Sequence, residues 1–446
     1  MDTNRRVFLS STGTAFAALV ASGCAGRSSA PFAGAATSAV STPAYGSLQP
    51  DPAGLLDLAQ GYSYRVISSL GEDMADGMTV PDRADGMGCF ALADGKWALV
   101  RNHELKAHNE SGGALPLGYD SKSDGDVLPG GTTTLIVDPA TLTVERQYRS
   151  LAGTIRNCAG GTTPWGSWLS CEEDVTRAGD GVGQDHGWVF EVPAAANSMA
   201  QPVPLKAMGR FNHEAAAVDP LTGIVYLTED RDNGLLYRFL PNVPGDLKQG
   251  GRLQALSLGE TADTRNWGRQ GIVVGNPQWV RWIDLDNVES PEDDLRIRGA
   301  QLGATLFARG EGIHMGQGEL YFCCTSGGAA KLGQIFRLTP AKKSREKKPA
   351  DSLELFFEST SPDQFNYGDN LTVGPQGHLI VCEDQYTDVV DNHLRAITSD
   401  GTAYAFGRLR IQTELAGACF SPDGKVLFVN AYSPTKTFAI TGPWMG

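Results

Sequence analysis

The sequence has no CxxC pair, no apolar run long enough to cross a bilayer and no excess of positive charge. The first absence removes zinc ribbons and thioredoxin-like redox chemistry. The second, judged against a span of about 18–20 residues, removes an integral membrane helix. Lys and Arg number 37 against 51 Asp and Glu, a net charge of −14, so a nucleic-acid partner is excluded: its phosphates would be repelled rather than neutralised. No convincing nucleophile elbow is present. Sustained helical periodicity is also missing. Short apolar segments are interrupted about every ten residues by Gly, Pro, Asn or Asp, in a chain with 54 glycines, and that punctuation belongs to strands and turns. For 446 residues, one large all-β domain fits as well as two average ones.

What is present begins at the N-terminus. Asn4-Arg5-Arg6-Val7-Phe8-Leu9, followed by a small-residue apolar stretch to Gly23, resembles a twin-arginine export signal. Residues 1–24 are assigned to it. Ala21-Ser22-Gly23-Cys24 resembles a lipoprotein processing site, with plain cleavage nearby as the alternative. The expected partner is the twin-arginine export machinery, and the expected destination is the periplasm, free or held by a lipid anchor, or the medium beyond. That route carries folded chains, which suits a protein that loads metal before it leaves. Residues 25–50, rich in Ser, Ala, Gly and Pro, are expected to form a flexible linker, and 51–446 a single monomeric β domain. Beyond Cys24 stand Cys89, Cys158, Cys171, Cys323, Cys324, Cys382 and Cys419, an odd number, so at least one thiol is not in a disulfide.

One pattern recurs along that domain. A polar or acidic residue leads into a short apolar strand, a Gly-containing turn follows, and a second strand ends in a polar cluster. Asn157-Cys158 leads to Cys171-Glu172-Glu173, Asn212-His213-Glu214 to Glu229-Asp230, and Asp369-Asn370 to Glu383-Asp384. Related copies begin at Gly86, Gly310 and Gly417, which makes six. Six copies at irregular spacing predict a six-bladed β-propeller with inserted loops.

An antiparallel turn returns the end of the second strand to the start of the first, so each copy delivers its polar groups to one end of its blade. In a propeller those ends meet at the mouth of the axial channel. The residues expected there are Asn102 and Glu104, Cys158 with Glu172 and Glu173, Glu214 with Glu229 and Asp230, Arg309 with Glu311, and Asp369 and Asn370 with Glu383 and Asp384. The first and last copies bring few acids, which places the expected site off the axis, toward the second to fifth blades. So many carboxylates cannot all stay ionised and unpaired at close range, and bound cations are the simplest resolution. Oxygen ligands suit hard ions such as calcium, and a thiolate among them suits iron. Taken singly, a strand-end acid is a turn or cap residue, and a lone cysteine is core; recurrence in register is what argues for a site. Arg309 has the planar fork that grips a phosphate.

Arg101-Asn102-His103-Glu104, Asn157-Cys158-Ala159-Gly160-Gly161, Cys171-Glu172-Glu173-Asp174, Asn212-His213-Glu214, Thr228-Glu229-Asp230, Arg309-Gly310-Glu311-Gly312 and Asp369-Asn370-Leu371, in that order, resemble the PhoX-type alkaline phosphatases. The resemblance implies hydrolysis of small-molecule phosphate esters at two oxo-bridged ferric ions and about three calcium ions. It implies Cys158 as an iron ligand, with Glu172, Glu214, Glu229, Asp230, Glu311, Asp369 and Glu383 sharing the iron and calcium ions, the choice between Glu172 and Glu173 and between Glu383 and Asp384 staying open, and Asn102 and Arg309 holding the substrate phosphate. The rival readings are a calcium-dependent propeller lactonase or phosphodi- or triesterase, and a metal-stabilised binding propeller without catalysis.

Overall fold

The computed structural model describes residues 45–341, 350–385, 387–389 and 391–444. The export signal expected over 1–24, Cys24 included, lies outside the described residues. Among those residues no helix is long and apolar enough to cross a membrane.

The strands form six antiparallel sheets. The first blade is Ala84–Ala91, Trp97–His103, Gly130–Asp138 and Thr143–Thr154, and the second is Asn157–Thr162, Ser167–Glu172 and Val189–Pro193. The third to fifth blades begin with His213–Val218, Gly310–Met315 and Gly368–Val373. Leu415–Phe420, Val426–Ala431 and Lys436–Thr441 open the sixth, whose outer strand is Ser63–Ser69 from the other end of the chain. Each first strand contacts the next around the ring, and the last contacts the first. The six-bladed propeller expected from the repeats is therefore the observed fold, closed by pairing an N-terminal strand with the C-terminal ones.

The packing follows from a period of two. In every second strand both faces are buried, because each faces a neighbouring blade. Leu427 and Val429 pack toward the fifth blade with Ile380 and Cys382, whereas Val426 and Phe428 pack toward the first with Trp97 and Leu99. Leu320 and Phe322 meet the third blade, and Tyr321 and Cys323 the fifth. Six such apolar layers, one per interface, make a core with no single centre. The seven cysteines of the described residues are all free, and most fill these layers.

The linker expected over 25–50 gives way to structure before residue 51. Tyr45 is buried against Tyr62, His378, Phe406 and Trp444, and Leu48–Gln49 pairs with Leu58–Ala59 on the outer edge of the fifth blade. An aromatic in a polar, small-residue stretch was the available sign.

Phe438 is fully buried in the closing blade and stacks edge-on with Tyr64 of a segment nearly 400 residues away in sequence. Phe438→Ala is expected to lower the unfolding free energy by about 3–5 kcal/mol, read by urea denaturation. A loss below about 1 kcal/mol would mean that ring closure does not carry the stability of the domain.

Candidate metal centre

All six first strands break their ladder at the same place. Pairing shifts between Ala84 and Met87, Asn157 and Gly160, His213 and Ala216, Gly310 and Ile313, Gly368 and Leu371, and Ala416 and Cys419. Two residues bulge out at each break, and bulges re-aim side chains. The first residue of each pair is Asp85, Cys158, Glu214, Glu311, Asp369 and Gly417 in turn, so five of six blades offer a carboxylate or thiol at one level. The strands crowd there. A Cβ on Gly86 would lie 2.5 Å from the Ala159 Cα, and one on Gly312 would lie 2.7 Å from the Asn370 Cα, so only glycine fits behind Asp85 and Glu311.

A second level comes from the ends of the second strands. The amides of Glu104, Glu173, Asp230, Thr325, Asp384 and Tyr432 donate to the carbonyls of Arg83, Arg156, Asn212, Arg309, Tyr367 and Glu414, one pair per blade, at 2.8–3.3 Å. Arg83, Arg156, Arg309 and Tyr367 hold left-handed backbone angles, φ 56°, 47°, 53° and 55°. Such angles are rare for residues with a Cβ and collect at functional sites.

These levels interlock. The Cys158 Sγ lies 3.3 Å from Glu214 Oε1 and 3.5 Å from Asp85 Oδ2. Glu104, Cys158 and Glu173 bring one ligand atom each within 4.8 Å of one another, as do Glu214, Glu311 and Asp369. Arg156 bridges Glu104 and Glu173 at 2.6 and 2.5 Å. Arg309 is bidentate to Asp230 at 2.7 and 3.0 Å and reaches Glu311 at 2.9 Å. Tyr432 donates its hydroxyl to Glu104, and Arg83 donates to Tyr432.

Burial first, and the neighbouring carboxylates second, push Asp85, Glu173, Glu214 and Glu311 well above the usual carboxylate range and bring Asp369 up to about 7. Burial, then Asp85 and Glu214, raises the Cys158 thiol as well. Asp85 Oδ1 and Glu214 Oε2 are buried without a hydrogen-bond partner. A cation supplies what both the charge and the orphaned oxygens require, and it would draw the protons off. The donor set therefore fits bound metal ions.

Several expected ligands go elsewhere. Glu172 accepts from the amides of Ile155, Gly187 and Trp188 and pairs with His186 at 2.7 Å. Glu229 binds the Leu235 amide, the Tyr237 hydroxyl and Arg296. Glu383 binds the amides of Asn366 and His393 and the Arg395 guanidinium. All three occupy one register position and turn to the loops of their own blade; the next residue, Glu173, Asp230 or Asp384, faces the mouth. Side chains alternate along a strand, so a one-residue error flips the face. His103 holds the equivalent place in the first blade.

Asn102 does not reach the mouth either. Its amide nitrogen donates to the carbonyls of Cys158 and Ala159, at 3.0 and 2.7 Å, and its oxygen accepts from Trp168 and Ser170, which spends its hydrogen-bonding capacity. It fixes the bulge that presents Cys158. Cys158, Glu214, Asp230, Arg309, Glu311 and Asp369 do come together.

Sequence reading missed Asp85, Arg83, Arg156, Glu414 and Tyr432. Glu414 joins the cluster through a hydrogen bond to Asp384. The signal for Asp85 was there: Asp85-Gly86-Met87 aligns with Glu311-Gly312-Ile313, one residue earlier than the repeat was begun. With Asp85, Glu104 and Glu414 included, the first and sixth blades also contribute, and the acids surround the axis rather than lying to one side.

Two overlapping stretches, residues 43–141 and 129–435, match the family model for alkaline phosphatase PhoX. The chain belongs to the PhoX family. It is thus a phosphoric ester hydrolase of the alkaline phosphatase type. PhoX from Pseudomonas fluorescens, solved with vanadate as a transition state analogue, has the same fold, with a TM-score of 0.68 and 19% identity over 87% of this chain and 96% of that one. A gluconolactonase from Xanthomonas campestris aligns over 90% of this chain and 98% of its own with a TM-score of 0.41 and 13% identity. A comparison with curated protein sequences finds no match.

This PhoX member separates adjacent acids by role, and substitution reads the difference. Glu173→Gln is expected to reduce bound metal per chain while leaving the apoprotein as stable as the parent. Glu172→Gln is expected to keep the metal and cost about 3 kcal/mol. Elemental analysis beside denaturation distinguishes them, and the opposite assignment of effects would refute the orientation of this strand end.

Proposed function

We propose that the mouth of the propeller hydrolyses phosphate monoesters of small molecules with bound iron and calcium, after export by the twin-arginine route to the periplasm, free or lipid-tethered. The observation that carries this reading is the ring of acids and one thiol at matching bulges, in a chain of the PhoX family. Cys158 is the sulfur donor of the cluster and suits iron. Asp85, Glu104, Glu173 and Glu214 surround it, and Glu311, Asp369 and Asp384 offer the oxygens that calcium takes. The bound ions would supply Lewis-acid polarisation of the phosphoryl group.

The chain's own residues divide the remaining work. Arg309 is a quarter exposed and held in its strained backbone beside Glu311. When cations share the charge of Asp230 and Glu311, its guanidinium is positioned to hold two phosphoryl oxygens. Asn102 contributes by fixing the Cys158 loop rather than by touching substrate.

Natively exported protein is expected to contain iron and calcium and to turn over p-nitrophenyl phosphate faster than the bis-ester. Arg309→Lys should lower kcat by about 100-fold with metal content unchanged. Cys158→Ser should lose iron and activity together. An active protein with calcium and no iron would overturn the iron assignment in favour of the calcium-dependent esterase or lactonase reading. Metal content without turnover of any ester would favour the binding propeller.

A further inference from the structure

The face of the first blade that meets the sixth buries two arginines, neither of which is in an ion pair with a carboxylate among the described residues. Arg101 and Arg149 are 0% and 3% exposed. Arg101 is the cross-strand partner of Thr133, and Thr133 is the partner of Arg149, so the two arginines share one face of the first blade. Successive partners lie about 5 Å apart, which puts both guanidinium groups in one layer.

Their contacts are all neutral. Arg101 donates to the hydroxyls of Thr133, Ser68 and Thr437 at 3.2, 3.2 and 2.6 Å. Arg149 donates to the Pro129 carbonyl at 2.9 Å. The nearest charge of opposite sign comes from Glu72 for Arg101 and Asp76 for Arg149, both exposed, and Asp76 spends an oxygen on the Arg149 backbone amide. Three buried nitrogens have no partner: Arg101 Nη2, Arg149 Nε and Arg149 Nη1. His103 bridges the layer, its Nε2 on Thr133 at 2.9 Å, and adds no negative charge.

Burial, and for Arg101 also the charge of Arg149, brings the two guanidinium groups down to about 9 and about 10, which leaves both charged at neutral pH. An unpaired buried charge costs several kcal/mol, and a second of the same sign adds to it. The unpartnered N–H donors of two like charges call for an anion, and a monatomic one can accept from several of them without a shaped polyatomic cradle. The layer is close to solvent on one side. Ser68, which accepts from Arg101, donates to Gln147 at 3.0 Å, and Gln147 lines a cleft of about 580 Å³ between Arg65–Ile67 and Leu142–Gln147.

We propose that a small halide-class anion, chloride in physiological media, binds between Arg101 and Arg149 and fastens the first blade to the strand Ser63–Ser69 that closes the ring. The site lies on the opposite face of the first blade from Asn102, whose amide holds the Cys158 bulge, and does not depend on the phosphatase reading.

The test uses full-length, metal-loaded protein dialysed into gluconate buffer at constant ionic strength. Titration with sodium chloride or bromide is expected to raise the Tm saturably, by about 2–4 °C. Crystals soaked in bromide should show an anomalous peak in contact with both guanidinium groups. Arg149→Gln should abolish the halide-dependent shift, and because the anomalous signal is read on the unaltered protein, a variant that fails to fold leaves the proposal testable. Absence of a saturable halide response, with only water at the two arginines, would overturn it. A response to sulfate at lower concentration than to bromide would overturn the halide class.

Discussion

Negative side chains packed closer than they can tolerate one another are the condition on which the rest of this molecule turns. Asp85, Glu214, Glu311 and Asp369 come from four blades and meet at one level, buried, with Cys158 among them. Folding brings them there only if something opposes their mutual repulsion and their loss of water. Two devices do so in the chain itself. Arginines at Arg156 and Arg309 stand between pairs of acids, and weakened acidity lets some groups keep a proton. Bound cations would complete the compensation and convert the burden into a binding site.

Placing ligands from separate blades at one point demands that the bulges not drift. The same register position in three blades supplies the restraint: Asn102 holds the carbonyl of Cys158, Thr228 that of Glu311, and Asn430 that of Asp85. These three bulges are therefore tied by the blade before them. One residue further along, Glu172, Glu229 and Glu383 lock the loops of their own blades, and the residue after that faces the mouth. Three consecutive positions thus carry three tasks, and alternation of side chains makes this possible within a few ångströms of strand.

The fold was legible because blades repeat: apolar second strands, turn glycines and closing acids recur six times, and the pattern survives insertions. The site was legible only in part. Cys158, Glu214, Glu311 and Asp369 could be recognised since each lies at the start of a repeat. Asp85 escaped because the first repeat was begun at Gly86, one residue too late. The choice between Glu172 and Glu173 needed the strand's face, which a pair of adjacent acids does not reveal. Asn102 was expected at the substrate because the family resemblance implied it, and a polar residue carries no mark of burial in the sequence; its partners on Cys158, Ala159, Trp168 and Ser170 come from another blade. Arg156 and Arg83 gave no local signal at all, since nothing in the residues around them marks the left-handed backbone they adopt.

The central claim is that cations, rather than shared protons, make the cluster stable. Anomalous diffraction from crystals of the natively exported protein, recorded on both sides of the iron absorption edge, tests it directly. The account predicts an iron peak within bonding distance of the Cys158 sulfur and further ions among Glu214, Glu311 and Asp369. Carboxyl groups hydrogen-bonded to one another around a centre without metal density would contradict it.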